Sequence, residues 1–155
     1  MKRWIRLALL VLTLLVLLAT TVFIAIRWRS IPEQVPTHFD GAGHITGWAG
    51  KDSLLSLLVI DWFAAVIVAI TARVPQGSRG GSLGAFRVSA VRFGNRSLPA
   101  TGLMLDILAL VLALIFSYLA ACVALCRDLG TWFLPATLVV VFVPMLLPLV
   151  ASLRK

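Results

Sequence analysis

The sequence is poor in charged residues, and acidic residues are the scarcer of its two charge types. Only 13% of the 155 residues are charged, and only six of them are Asp or Glu. Hydrophobic residues make up 61% of the chain, and its mean hydropathy is +1.03. Soluble domains carry about 25% charged residues. The composition therefore excludes an ordinary soluble domain and indicates one integral-membrane domain.

Enzyme motifs are also missing. The chain has no His-Glu-x-x-His, no Gly-x-Ser-x-Gly, no P-loop and no dinucleotide-binding glycine pattern. Its two cysteines, Cys122 and Cys126, are four residues apart, and a helix would stack them in a geometry unsuited to a disulfide. We expect both to be free packing thiols on one helix. We further expect no enzyme activity, no catalytic residue and no cofactor.

Four apolar runs are long enough to cross a bilayer, since about 20 helical residues span its hydrocarbon core. They cover approximately residues 5–26, 53–72, 101–125 and 132–153. The first run is longer than the apolar region of a signal peptide and lacks a following small-residue cleavage site, so we interpret it as a retained span. The chain is thus predicted to be an all-α, four-span bundle forming one domain over residues 1–155.

The distribution of basic residues predicts the orientation. With the N-terminus in the cytoplasm, ten of the 14 Lys and Arg residues lie inside, and Arg27, Arg29, Lys51 and Arg127 lie outside. The positive-inside rule favours this arrangement. We therefore predict a multi-pass protein with both termini cytoplasmic. The loop between the first two spans then lies outside.

That loop, residues 31–52, holds much of the polar chemistry. It contains both histidines and half of the six acidic residues. Pro32 and Pro36 fix their own φ angles and favour extended geometry before them, and four glycines permit close turns. We expect an ordered loop with a short extended arm, a turn at Asp40–Gly43 and a lead into the second span.

The loop also resembles a known signature. IPEQVPTHFDGAGHITGWAGK is similar to the Pro-x-x-(Ile/Val)-Pro-x-His-Phe-x-x-x-Gly-x-x-x-x-Trp-x-x-Lys pattern of a small bacterial integral-membrane domain of unknown function. That domain occurs at the N-terminus of SdpI-like proteins. The matching residues are Pro32, Val35, Pro36, His38, Phe39, Gly43, Trp48 and Lys51.

The resemblance implies a protein of the bacterial cytoplasmic (inner) membrane with a non-enzymatic, SdpI-like role. Such a protein serves immunity or signalling against an extracellular toxic peptide or envelope signal. We expect the signature residues and Asp40 to form the recognition loop. One alternative is an accessory subunit or small transporter-like component of a larger membrane complex. A second alternative is a metal-dependent membrane enzyme.

Two interpretations of the loop side chains remain open. His38, Asp40 and His44 lie within seven residues and are suitable zinc ligands, but three ligands without a fourth do not make a structural site, so we favour no metal. In the other interpretation, His38 and Phe39 pack against the mouth of the bundle and Trp48 lies at the membrane interface. The partners expected for Lys51 are Asp52, Asp40 or a lipid phosphate.

Two acidic residues fall within predicted spans. Asp61 lies about 12 Å from the outer end of the second span, where an ionised carboxylate is costly. Asp61 therefore either makes a structural hydrogen bond or belongs to a functional polar pathway, and the sequence favours neither interpretation. Asp106 lies near the cytoplasmic start of the third span, and we expect it to reach an arginine of the basic loop or the interface. Because the two depths differ by about 10 Å, we expect no aspartate dyad.

The cytoplasmic loop, residues 73–99, carries five arginines and no acidic residue. Arginines alternating with Phe and Val suit anionic lipid head groups, and we expect Arg87, Arg92 and Arg96 to contact lipid or a protein partner. The positive charge could also suit nucleic acid, but the sequence shows no nucleic-acid-binding fold, so we expect no nucleic-acid partner. A bundle this small has little room for a cavity of its own, so we also expect a homo-oligomer or a membrane-protein partner.

Overall fold

The computed structural model describes residues 2–73 and 101–142, and most of them are helical. In chain order the elements are α1 (Lys2–Arg27), a 3-10 turn (Trp28–Ser30), β1 (Gln34–Phe39), β2 (Ile45–Gly50), α2 (Ser53–Thr71) and α3 (Thr101–Ala124). A shorter apolar helix, α4 (Phe133–Phe142), ends the described part of the chain.

Within the described ranges, α1, α2 and α3 are long and apolar enough to cross a membrane. The prediction of a membrane protein is confirmed to that extent. The fourth predicted span begins with α4, but the remainder of that span, including Pro144 and Pro148, lies outside the described residues. The count of four spans therefore stays a prediction.

Helix α3 lies between the other two spans. It packs along both α1 and α2, whereas α1 and α2 contact each other little. Ala113 and Ala120 are buried on α3, and such small residues let helix backbones approach closely within a membrane. Many large apolar side chains on the opposite helix faces are exposed, as expected for surfaces that meet lipid.

The loop between α1 and α2 folds as an antiparallel β-hairpin, so the all-α class needs correction at this element. Val35 pairs with Ala49, and the register is irregular around His38. Proline favours extended geometry, and the Val, Thr, Phe, Ile and Trp residues of both strands are good strand formers. The expected turn is present, with the Gly43 N–H donating to the Asp40 carbonyl at 3.0 Å.

The hairpin defines one end of the bundle, which we call the hairpin end. The opposite end, where α1 begins, α2 finishes and α3 begins, is called the arginine end after Arg6 and Arg73. At the hairpin end α3 finishes at Ala124, earlier than expected, and Cys126 follows with a φ of +51°. The two cysteines are therefore not on one helix, although both are free.

Candidate functional site at the hairpin end

Asp40 organises the turn of the hairpin. Its Oδ1 accepts the backbone N–H groups of Ala42 and His44, each at 2.9 Å. The hydrogen bond from the His44 N–H is the main cause that holds the pKa of the Asp40 carboxyl below its ordinary value of 3.8. An ionised Asp40 thus accepts two backbone N–H groups of the turn, which fixes the shape of the turn.

A distant segment, residues 126–132, closes on this turn. The Leu129 N–H donates to the Gly43 carbonyl at 2.9 Å, and the Ile45 N–H donates to Asp128 Oδ1 at 3.0 Å. Gly43 has a φ of +85°, and a Cβ there would lie 2.8 Å from the Gly130 carbonyl oxygen. Glycine is therefore required at position 43 by both conformation and space.

Aromatic contacts anchor the same segment to α3. The Tyr118 ring stacks on Phe133 with centroids 5.1 Å apart and lies against Trp132 at 5.4 Å. Its hydroxyl donates to the Leu129 carbonyl at 3.0 Å. The hairpin turn is thus connected through residues 126–132 to a membrane-spanning helix.

Lys51 closes the base of the hairpin. Its Nζ donates to Glu33 Oε1 at 2.5 Å and lies 5.6 Å from the centroid of the Trp28 ring. The expected partners Asp52 and Asp40 are not the ones observed. Asp52 precedes α2 and makes no side-chain capping hydrogen bond to it.

Burial divides the signature residues into two groups. Val35 is fully buried, Pro36 and Gly43 are buried, and Phe39 is half-buried against the apolar cluster under the hairpin. These four residues, together with Lys51 at the hairpin base, have structural roles in the hairpin. The exposed members are Pro32, His38 and Trp48.

His38 and Trp48 offer the chemistry that the hairpin does not use for its own packing. Trp48 is 54% exposed. The His38 ring lies over Gly47, where a Cβ would come within 3.1 Å of it, and its Nδ1 is 3.2 Å from the Thr37 hydroxyl. An exposed indole and an exposed imidazole on one hairpin can contact a partner through both apolar and hydrogen-bonding groups.

The three residues considered for metal binding, His38, Asp40 and His44, have other contacts in the structure. His44 Nδ1 lies 3.4 Å from Asp128 Oδ2, and Asp40 is committed to the turn. Within residues 2–73 and 101–142, no three His, Cys, Asp or Glu side chains are grouped closely enough to hold a metal ion. The geometry of this end therefore gives no support to the metal-dependent alternative.

Asp61 lies inside the bundle, away from the hairpin. It is 2% exposed, and neither carboxylate oxygen has a hydrogen-bond partner among the described residues. Helix rise places it about 12 Å from the hairpin end of α2, at the level of a hydrogen bond of 2.7 Å between Thr20 and Ser117. Trp62 and Thr21 form a second bond of 3.0 Å at this level. These residues make a polar layer in an otherwise apolar bundle.

Asp106 lies at the arginine end and does not meet Asp61. Its carboxylate accepts hydrogen bonds from Arg6 Nε at 2.6 Å and Arg73 Nη1 at 3.3 Å, and Asp106 is 3% exposed. The expected partner from residues 73–99 is therefore present as Arg73. The predicted lipid or partner contacts Arg87, Arg92 and Arg96 lie outside the described residues.

A protein-family model matches the part of the chain that contains the hairpin. A family model described as a domain of unknown function (DUF1648) matches residues 15–60. The match runs from the middle of α1 through both strands to the middle of α2, so it includes all eight signature residues. No curated protein and no solved structure matched the chain.

Several residues that build the two ends were not among the predicted site residues. Arg6, Glu33, Asp128 and Gly130 make contacts with residues far away in the sequence. The sequence could have predicted the contact of Glu33 with Lys51. Once the turn is placed, counting outwards along both strands from the hydrogen-bonded Asp40 and His44 reaches Glu33 opposite Lys51. No comparable rule relates Asp128 to the hairpin.

Proposed function

We propose that this is a non-enzymatic, SdpI-like protein of the bacterial cytoplasmic membrane that recognises an extracellular peptide through its hairpin end. The recognition serves immunity against a toxic peptide or sensing of an envelope signal. The observation that carries the proposal is the exposure of His38 and Trp48 on a hairpin whose other signature residues, apart from Pro32, have structural roles. Exposed aromatic residues on a fixed support are typical of recognition surfaces.

The free strand edge suggests how a peptide binds. The sheet has two strands, so β2 pairs with β1 on one side and has no strand partner on the other among the described residues. An extended peptide can add to such an edge through backbone hydrogen bonds, with side-chain contacts supplying specificity. Trp48 lies on β2 and is placed to supply such a contact.

The predicted topology supports an extracellular position for the hairpin. With both termini in the cytoplasm and four spans, the basic residues are distributed as the positive-inside rule requires. The apolar helix α4 is the start of the fourth span in this topology. A peptide arriving from outside the cell then meets the hairpin first.

A photo-crosslinking experiment tests the proposal. The photoreactive residue p-benzoylphenylalanine replaces Trp48 in living cells of the natural host, and the adducts are identified by mass spectrometry. The matched control carries the same residue at Phe63, an exposed aromatic position on α2 facing away from the core. We expect peptide adducts at position 48 only, and fewer of them when His38→Ala is added.

The recovered peptide is then synthesised and added to cells with and without the protein. Protection or a signalling response that disappears in the His38→Ala variant supports the proposed role. Identical adducts at positions 48 and 63 would show that the hairpin end meets only the general surroundings of the membrane.

A second candidate function is supported by Asp61. Asp61 has no hydrogen-bond partner within residues 2–73 and 101–142, and a buried carboxyl group without a partner is costly inside a membrane bundle. Its presence favours a polar pathway or a contact within a larger complex. The protein would then act as a small transporter-like component or as an accessory subunit, including in a homo-oligomer. In that case Asp61→Asn abolishes activity while His38→Ala has little effect, the reverse of what peptide recognition at the hairpin requires.

A further inference from the structure

The arginine half of the bundle contains an open groove between α1 and α2. Because these helices contact each other little, they leave a space of about 240 Å³ between them. Apolar side chains line it from both helices, chiefly Leu10, Leu14 and Leu17 from α1 and Ala65, Ala69 and Ile70 from α2. Its length along α1, from Leu10 to Leu17, is about 10 Å.

The groove presents almost no polar group along its walls. Thr13 is its one hydroxyl residue, and that hydroxyl donates to the Leu9 carbonyl of its own helix at 2.9 Å. The wall therefore suits a hydrocarbon chain. One end of the groove is charged rather than apolar, because Arg73 lies there.

Arg73 belongs to a cluster with an excess of positive charge. Two guanidinium groups, from Arg6 and Arg73, share the single carboxylate of Asp106. The Arg6 side chain remains 34% exposed and the Arg73 side chain 38% exposed, whereas that of Asp106 is 2% exposed. One unit of positive charge is thus left over at the surface next to the groove.

The cluster holds both arginines in place and leaves donors unused. Arg6 Nη2 donates to the Ala72 carbonyl at 2.6 Å, and Arg73 Nη1 donates to the Ala69 carbonyl at 2.5 Å. Gly102 makes room for this packing, since a Cβ there would lie 3.0 Å from the guanidinium carbon of Arg6. Arg6 Nη1 and Arg73 Nη2 have no acceptor among the described residues. A guanidinium carries five N–H donors, so both groups can still bind a phosphate.

We propose that this groove binds an anionic phospholipid, with one acyl chain between α1 and α2 and the phosphate on Arg6 and Arg73. The apolar wall within a membrane-spanning bundle selects a lipid rather than a free phosphate. The surplus positive charge selects an anionic head group over a zwitterionic one. This site is independent of the peptide-recognition role proposed for the hairpin end.

Native mass spectrometry of the full-length protein in mild detergent tests the proposal. The probes are dioleoyl phosphatidylglycerol and dioleoyl phosphatidylcholine, which have the same chains and differ in net charge. We expect phosphatidylglycerol to bind about tenfold more tightly, the effect of one well-placed charge-assisted contact. Glycerol 3-phosphate, a head group without chains, should compete poorly.

Three variants locate the binding. Arg73→Gln removes one guanidinium but leaves Asp106 paired with Arg6, and should abolish the preference for phosphatidylglycerol. Arg29→Gln removes an exposed arginine at the hairpin end and should leave the preference unchanged. Ala69→Phe fills the groove while keeping every charged residue and should weaken binding of both lipids.

Several outcomes would overturn the proposal. Equal binding of the two lipids by the wild type would remove the role of charge. Equal effects of Arg73→Gln and Arg29→Gln would show a general electrostatic attraction. Strong competition by glycerol 3-phosphate would identify a phosphate site without a lipid chain. Unchanged lipid binding by a folded Ala69→Phe variant would exclude the groove, and its melting temperature in detergent establishes that it is folded.

Discussion

The two ends of the bundle are built from different interactions. At the hairpin end, backbone hydrogen bonds, close glycines and pairs of opposite charge such as Lys51 with Glu33 determine the geometry. At the arginine end, two guanidinium groups surround one buried carboxylate and leave positive charge at the surface. One end thus has a defined shape with nearly balanced charge, and the other has charge next to an open apolar groove.

The difference indicates what each end can recognise. A surface defined by backbone geometry distinguishes partners by shape, because strand edges and turns accept only certain conformations. A surface with excess positive charge distinguishes partners by charge, and anionic lipid head groups are partners of this kind. The peptide role proposed for the hairpin and the lipid role proposed for the groove follow this division.

The largest effect is expected from Asp106→Asn. Loss of the buried carboxylate charge leaves Arg6 and Arg73 close together without a counter-charge, and we expect unfolding in detergent to become easier by about 3 kcal/mol. Asp128→Asn at the hairpin end is the matched control, because an amide oxygen can still accept the Ile45 N–H and the residue is exposed. Equal losses of stability from the two variants would contradict the division between the ends.

Gly43→Ala tests the geometry of the hairpin end. Both the φ of +85° and the approach to the Gly130 carbonyl oppose a side chain at this position. We expect a loss of about 2 kcal/mol, with faster amide hydrogen exchange at the turn. Gly41→Ala is a close control in the same turn, since an added Cβ there meets nothing within 4 Å. A Gly41→Ala variant as unstable as Gly43→Ala would show that the turn does not depend on contact with residues 126–132.

Acidification should loosen the turn of the hairpin. The pKa of Asp40 is lowered in the folded protein, so its carboxylate contributes fully above the ordinary value of 3.8 and progressively less as the pH falls below it. Amide exchange at Ala42 and His44 is followed from neutral pH to about pH 3, and each rate is divided by the intrinsic exchange rate at the same pH. The protection obtained in this way should fall only at the acidic limit. The Asp40→Asn variant keeps an acceptor oxygen but cannot titrate there. If that variant shows the same acid-induced change, another group is responsible.

The sequence predicted the parts that depend on local chemistry. Apolar runs identified the three described spans, and Asp40 with Gly43 identified the turn. Contacts between segments that are distant in the sequence were harder to predict. The closure of Asp128 on Ile45 and of Arg6 on Asp106 depends on how distant segments approach each other. The burial of Asp61 depends on the rotation of α2 against α3, which an almost uniformly apolar helix does not reveal.

The smallest effect concerns the base of the hairpin, where Lys51 contacts both Glu33 and the Trp28 ring. The Glu33 side chain is 83% exposed, so Glu33→Gln should change the free energy of unfolding by at most about 0.5 kcal/mol. Lys51→Met removes the charge from both contacts and keeps an apolar stem, so its cost should be higher, about 1 kcal/mol. Thermal unfolding of the two variants side by side measures the difference. Equal costs would mean that the ion pair holds Lys51, and that the contact with Trp28 adds nothing to the stability of the hairpin end.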